Sequence, residues 1–344
     1  MRGLRIVVPL ALALALIGAG GVWLSRLTKS LDEPLHLAKP VVFNVAPGTR
    51  FARVASELAA RGLIDHPRTW LLYARFKRLA SAIKAGEYEI EPGTTPRALL
   101  DKLVSGQVLL HSFTIVDGWR LEDVLAALKH DPDVVATLPV SAEELMAKLG
   151  DAGVDAEGQF LPETYRFTKG TPAVELLRQA HEALKRELDA AWSNRDPSSP
   201  LRSTEELLIV ASIVEKESGL PSELPKIAGL YLHRLRIGMR LQADPTVVYG
   251  LGGRYDGQLH TVDLQTDGPY NTYTRAGLPP TPISLPGAAA IRATAHPEKT
   301  DAIYFVASPK GDGSHVFSTT LEEHNAAVAR YVTSLRERTG ESAK

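Results

Sequence analysis

The 344-residue sequence has no cysteine, which excludes disulfide staples and thiolate metal ligands. A core of this size needs no staples, so the absence assigns no compartment. Its 39 Lys and Arg against 40 Asp and Glu give a net charge of −1, so it lacks the electrostatic footprint of a nucleic-acid binder. The ten histidines are scattered without zinc-ligand spacing, and no glycine-rich phosphate loop is present. No metal and no organic cofactor is implied. One charge-free run does stand out, from Ile6 to Ser25, about 20 residues and long enough to cross a bilayer core. Trp23 sits where an interfacial aromatic belongs. The small residues Gly18–Gly21 offer a signal-peptide reading, but signal h-regions are usually about 7–15 residues. Residues 1–25 are therefore read as a cytoplasmic tip and an uncleaved transmembrane anchor, and 26–40 as a polar tether. The flanking charges, Arg2 and Arg5 against Arg26 and Lys29, do not fix its orientation.

Three segments then alternate like short strands and end in a turn: Phe43–Thr49, Tyr88–Thr94 and Phe113–Trp119. Their Pro-Gly and Asp-Gly pairs are turn signals. A helical pattern follows each, at Phe51–Ala60, Pro96–Leu103 and Leu121–Leu128. A small α+β module over 41–130 is expected, with a mainly helical domain over 131–338 and a polar tail over 339–344. In the second domain a long helix is expected over Pro172–Trp192 with Thr171 as its N-cap. Further helices are expected near Glu223–Ile237 and Leu321–Glu337. Asp301–Ala307 and Ser314–Ser318, joined by Pro309–Gly313, predict a β-hairpin. The stretch 250–290 is rich in Gly, Pro and turn residues, as binding loops are.

The segment richest in chemistry is Ala211-Ser-Ile-Val-Glu-Lys-Glu-Ser-Gly219. Ser203 with Glu206 three residues on is the capping-box pattern, and Leu207–Val214 is almost wholly apolar. On a helical wheel the apolar direction lies roughly 55° from Glu217 and roughly 105° from Glu215. Lys216 lies nearly opposite. Glu217 is the acid aimed inward, at a helix C-terminus where the macrodipole disfavours negative charge. Burial acts in the same direction, so its pKa should rise toward neutrality. A protonated carboxyl near neutral pH can donate to a glycosidic oxygen. The competing reading is an ordinary acid paired with Lys216, Arg234 or Arg236.

Several blocks in order carry a wider resemblance: Glu157-Gly-Gln-Phe-Leu-Pro-Glu-Thr-Tyr165, Ala211–Ser218, His233–Thr246, Tyr270–Tyr273, Gly277–Pro280, Ala295–Pro297, Tyr304–Val306, His315–Phe317 and His324 with Asn325. Together they resemble the membrane-anchored, YceG-like endolytic murein transglycosylases over nearly the whole chain after residue 25. The resemblance implies that Glu217 is the catalytic acid. It implies a LysM-like first module and a lytic-transglycosylase-like catalytic domain in the periplasm, held by a single pass in the inner membrane. It also implies cleavage of the MurNAc–GlcNAc β-1,4 bond in nascent glycan strands, ending them in 1,6-anhydroMurNAc. Peptidoglycan glycan strands and the penicillin-binding synthases are the implied partners. Thr281 stands where glycine is common in the family, and Leu285 where asparagine is often seen.

Asn271, Tyr273, Gln242 and Tyr249 are candidate sugar contacts, because amides and tyrosines bond hydroxyls and present flat faces. A hydrolase would need a second carboxylate. Glu163 leads that group, which also holds Glu215, Asp244, Asp256, Asp263 and Asp267. Such a two-carboxylate muramidase is one alternative. A non-catalytic peptidoglycan-binding scaffold is the other.

Overall fold

The computed structural model describes residues 29–339. The anchor expected over 1–25 lies outside them, as does the tail from residue 340. Among the described residues no helix is long and apolar enough to cross a membrane. The fold is mixed α+β and divides into two units. One runs to His111 and includes Phe167–Lys169; the other holds Ser112–Arg166 and the chain from Gly170.

The smaller unit is built from β1 (Val41–Val45), α1 (Phe51–Ala60), α2 (Pro67–Phe76), β2 (Gly86–Ile90) and α3 (Pro96–Ser105). The two strands pair antiparallel, Val41 opposite Ile90 and Val45 opposite Gly86. Their alternation buries Phe43, Val45, Tyr88 and Ile90, as the period of two requires. Both Pro-Gly turns place their glycine at positive φ, +76° for Gly48 and +88° for Gly93, where a side chain would be strained. Trp70 of α2 is fully buried, with the Phe51 ring edge-on at 4.5 Å, and its Nε1 donates to the Pro96 carbonyl at 2.7 Å. Part of the stretch read as a tether is packed here. A helical turn covers 29–32, Leu31 and Leu35 are buried in this core, and Arg97 Nε reaches Asp32 at 2.8 Å.

β3 (His111–Thr114) pairs with β5 (Thr164–Phe167), the larger unit holding both strands except His111 and Phe167, and within it β4 (Val134–Val135) runs parallel to β6 (Thr171–Pro172). Helices α4 (Leu121–His130) and α5 (Ala142–Leu149) lie between β3 and β5 in sequence. The module boundary expected at 130 thus differs from the division at His111. Glu157 accepts from the first amide of α4, Leu121 N, at 3.1 Å and ties that helix to the larger unit. The remaining helices are α6 (Ala173–Ser193), α7 (Thr204–Glu217), α8 (Leu224–Arg236), α9 (Asp244–Leu251), α10 (Thr261–Gln265), α11 (Ala288–Ala295) and α12 (Leu321–Thr339). Pro172, not Thr171, occupies the N-cap of α6. The expected hairpin forms from β7 (Tyr304–Ala307) and β8 (His315–Ser318), with Phe305 opposite Phe317.

Helix α7 is the axis of this unit. Every residue from Leu207 to Val214 is buried, and α6, α8 and α11 pack around it. Ser203 caps it as expected, accepting from Glu206 N at 3.1 Å. The one polar residue inside the run, Ser212, is fully used: its Oγ donates to Ile209 O and accepts from Ile283 N, while its carbonyl accepts from Ser284 Oγ. Those bonds hold the 283–284 stretch of loop against the C-terminal half of the helix.

Gly229 on α8 makes the closest approach to backbone among the described glycines. A Cβ there would stand 2.1 Å from the Glu298 carbonyl oxygen, so backbone would have to move. Gly229→Ala is expected to destabilise the protein by about 1–3 kcal/mol despite alanine's better helix propensity, measured as a lower midpoint in chemical denaturation.

Candidate active site

Glu217 is the last residue of α7, at the C-terminal end of its dipole. The chain then turns to extended backbone at Ser218 (φ −146°, ψ 134°), which frees the carboxyl from the helix surface. Tyr231, on the neighbouring α8 and 1% exposed, donates its hydroxyl to Glu217 Oε1. Arg234, one turn on, is buried; its guanidinium is spent on the carbonyls of Ile303 and Leu241. It acts on Glu217 through its charge rather than as a bonded partner.

These surroundings set the proton affinity. Burial pushes the Glu217 carboxyl up to about 7; the Tyr231 bond opposes this, the Asp244 charge adds to it, and Arg234 pulls back. Desolvation outweighs the hydrogen bond because a single neutral donor cannot replace bulk hydration of a carboxylate. The pairing with Lys216 or Arg236 weighed from the sequence does not occur: Lys216 Nζ donates to Gly118 O at 3.1 Å and Arg236 to Ser198 O.

Glu217 opens into a cleft of about 580 Å³ lined also by Arg120, Lys216, Asp244, Tyr255, Gln258 and Ile283. Asp244 is the first residue of α9, after Ala243 at the N-cap. Its Oδ1 accepts from the Tyr273 hydroxyl at 2.5 Å. Burial, and then Asp244, raise the phenol's proton affinity, and the Glu217 charge adds to it. Tyr273 is thus bonded to a residue of the cleft lining without lining it itself. Gln242 is exposed beside Asp244, in the left-handed backbone region (φ +49°) uncommon for a residue with a Cβ. Its backbone N–H donates to Thr272 O.

The other expected site residues are placed differently. Asn271 is buried, its Nδ2 shared among the carbonyls of Asp263, Leu264 and Thr266 while its Oδ1 accepts from Tyr273 N. It pins the loop that carries Tyr273 and has no donor left for a sugar. Tyr249 stands edge-on to Tyr270 at 4.8 Å, beneath the Arg120 guanidinium at 5.0 Å. Glu163 is exposed on the edge of β5, where its carbonyl accepts from Ile115 N, and it does not line the cleft. Of the remaining acids, Glu215 accepts from Gly287 N, Asp256 pairs with His260, Asp263 accepts from His260 N at the start of α10, and Asp267 pairs with Arg275. Asp244 alone among them shares the cleft with Glu217.

The sequence reading missed two groups. Tyr231 looks like one more apolar position on α8; only its fourteen-residue spacing from Glu217 across a tight helix pair gives it away. The second is Glu157, in the same block as Glu163. It is buried, accepts from Leu121 N, Gly158 N and, at 3.3 Å, Tyr249 Oη, and burial raises its carboxyl to about 7. The glycine after it was the available signal: Gly158 has φ +80° and no room for a Cβ beside Pro282.

Comparison with known proteins follows the same chain. An endolytic murein transglycosylase of Bacillus subtilis is 31% identical, over 90% of this chain and 90% of its own length. One of Streptococcus pneumoniae is 27% identical over 95% of this chain, which spans 65% of that protein's length. A solved yceG-like protein of Listeria monocytogenes is 27% identical, with a TM-score of 0.49 over 84% of this chain and 99% of that one. The model of the YceG-like family matches residues 43–330, and the chain belongs to that family.

Proposed function

We propose that this protein is an endolytic lytic transglycosylase of peptidoglycan, with Glu217 as its acid and base. One observation carries the reading: a carboxyl whose pKa burial raises to about 7, at the wall of an open cleft, with a tyrosine donating to one of its oxygens. A scaffold has no use for that cost. Glu217 protonates the oxygen between MurNAc and GlcNAc as the C1–O bond breaks, assisted by the substrate's N-acetyl group. The resulting carboxylate takes the proton of the muramoyl C6 hydroxyl as O6 bonds to C1. A 1,6-anhydro end forms, no water is added and Glu217 is again protonated. Tyr273 and Gln242 are the sugar contacts of this reading. Arg120 and Gln258 are the further polar contacts of this reading, and they line the cleft itself.

Around this core the anchor over 1–25 places the enzyme in the inner membrane, with its active site in the periplasm beside the penicillin-binding synthases whose strands it ends. The strand-helix-helix-strand order of the smaller unit supports a LysM-like module. Its groove of about 470 Å³, lined by Thr49, Arg50, Leu71 and Ile83, lies within the usual size range of ligand sites. Asp244 keeps a two-carboxylate muramidase as the second reading, because it shares the cleft. Its bond to Tyr273 argues for a role in fixing charge rather than in activating water.

The following outcomes are expected. Purified glycan strands treated with the enzyme yield termini one water lighter than reducing ends by mass spectrometry; reducing ends would instead establish the muramidase. Glu217→Gln, which can still accept from Tyr231, keeps the wild-type melting temperature and loses about 10²–10⁴-fold in rate. Because the reaction needs the protonated acid, wild-type activity falls as pH rises through about 7. Tyr231→Phe removes a bond that favours the carboxylate and moves that fall to higher pH. Asp244→Asn removes a charge that opposes the carboxylate and moves it to lower pH.

A further inference from the structure

The outer face of α2 is not what a solvated helix usually shows. Leu72 is 57% exposed and Phe76 83%, one turn apart. Arg68 and Arg75 share their side of the helix, the four lying within about 100° on a helical wheel, while Trp70 and Ala74 face the core. Lys77 and Arg78 continue the basic face past the helix end. None of these four cations has an ion-pair partner among the described residues, and all are exposed. Arg78 adds an independent oddity: it follows the helix in the left-handed region, φ +59°, where glycine is the unstrained choice. A cation is kept there against the backbone's preference.

The chain's path says what lies opposite. Ser30, Leu31 and Leu35 line one small cavity with His66 and Trp70 at the start of α2, and His36 bonds Asp65 at 2.7 Å. The entry segment is thus fixed against this helix. Only residues 26–29 separate it from the charge-free run ending at Ser25, at most about 14 Å of extended chain. A ten-residue helix adds about 15 Å. We propose that the outer face of α2 docks the smaller unit onto an anionic lipid surface. Leu72 and Phe76 enter the headgroup–acyl boundary while Arg68, Arg75, Lys77 and Arg78 meet lipid phosphates. The inference rests on the reading of residues 1–25 as an anchor, which supplies the proximity.

The absence of cysteine makes the test clean. Full-length Thr69→Cys, at the edge of the face, is labelled with a fluorophore and reconstituted in vesicles carrying a shallow nitroxide lipid. Val140→Cys, at a 98% exposed position of the other unit, is the control. In vesicles of phosphatidylglycerol and phosphatidylethanolamine, the label at 69 is expected to be quenched several-fold more than the label at 140. The contrast should shrink in pure phosphatidylcholine and at high salt, as charge attraction requires. Leu72→Ser with Phe76→Ser should abolish it. Arg78→Gly should weaken it while leaving the melting temperature equal or higher, because the strain is relieved; this separates docking from folding. Equal quenching at 69 and 140, or a contrast indifferent to lipid charge and to both variants, overturns the proposal. Carbonate extraction judges the anchor separately: release from the vesicles would sink the anchor reading, and the quenching contrast would still decide the docking.

Discussion

A helix buried from Leu207 to Val214 cannot stand alone, and the larger unit is organised by the need to cover it. Helices α6, α8 and α11 supply the walls, and the loop at Ile283–Ser284 supplies the last side through Ser212. The same covering desolvates the carboxyl at the helix end. Packing and chemistry are one constraint here: the elements that make α7 stable are those that raise the proton affinity of Glu217. A hydrophobic core with an acid at its rim holds a proton without any further device.

What surrounds that acid is a graded set of fields rather than a salt bridge. Tyr231 donates, Arg234 attracts from behind, and Asp244 repels from the cleft side. If Arg234 bonded Glu217 directly, the carboxyl would ionise and lose its use as a donor. The structure prevents this by committing the guanidinium to the carbonyls of Leu241 and Ile303. The hairpin takes part as well. His315 and the Ser218 hydroxyl both meet Glu223, so β8 is fastened to the turn that follows the acid.

The mixed α+β class, the inward direction of Glu217, its cap at Ser203 and the β7–β8 hairpin were legible in the sequence because each rests on local pattern: a period, a cap or a turn. Asn271 and Glu163 show the limit. Residue type suggested sugar contacts, but whether an amide is free depends on three loop carbonyls that no spacing reveals. Glu163 and Glu157 share one block, and only the fold buries one and exposes the other. Helix α2 escaped notice for a related reason. Its outer face carries Leu72 and Phe76 among arginines, which blurs the contrast between faces on which helix reading depends.

The bond from Arg234 to Ile303 spans 69 positions. It is a long-range contact in the sense that governs folding order: its closure entropy must be met before it rewards the chain. Glu217 and Tyr231 are neighbours early, yet the cation behind them is fixed only after the segment that includes Ile303 has been synthesised. The electrostatic setting of Glu217 is therefore a late property of the folding chain.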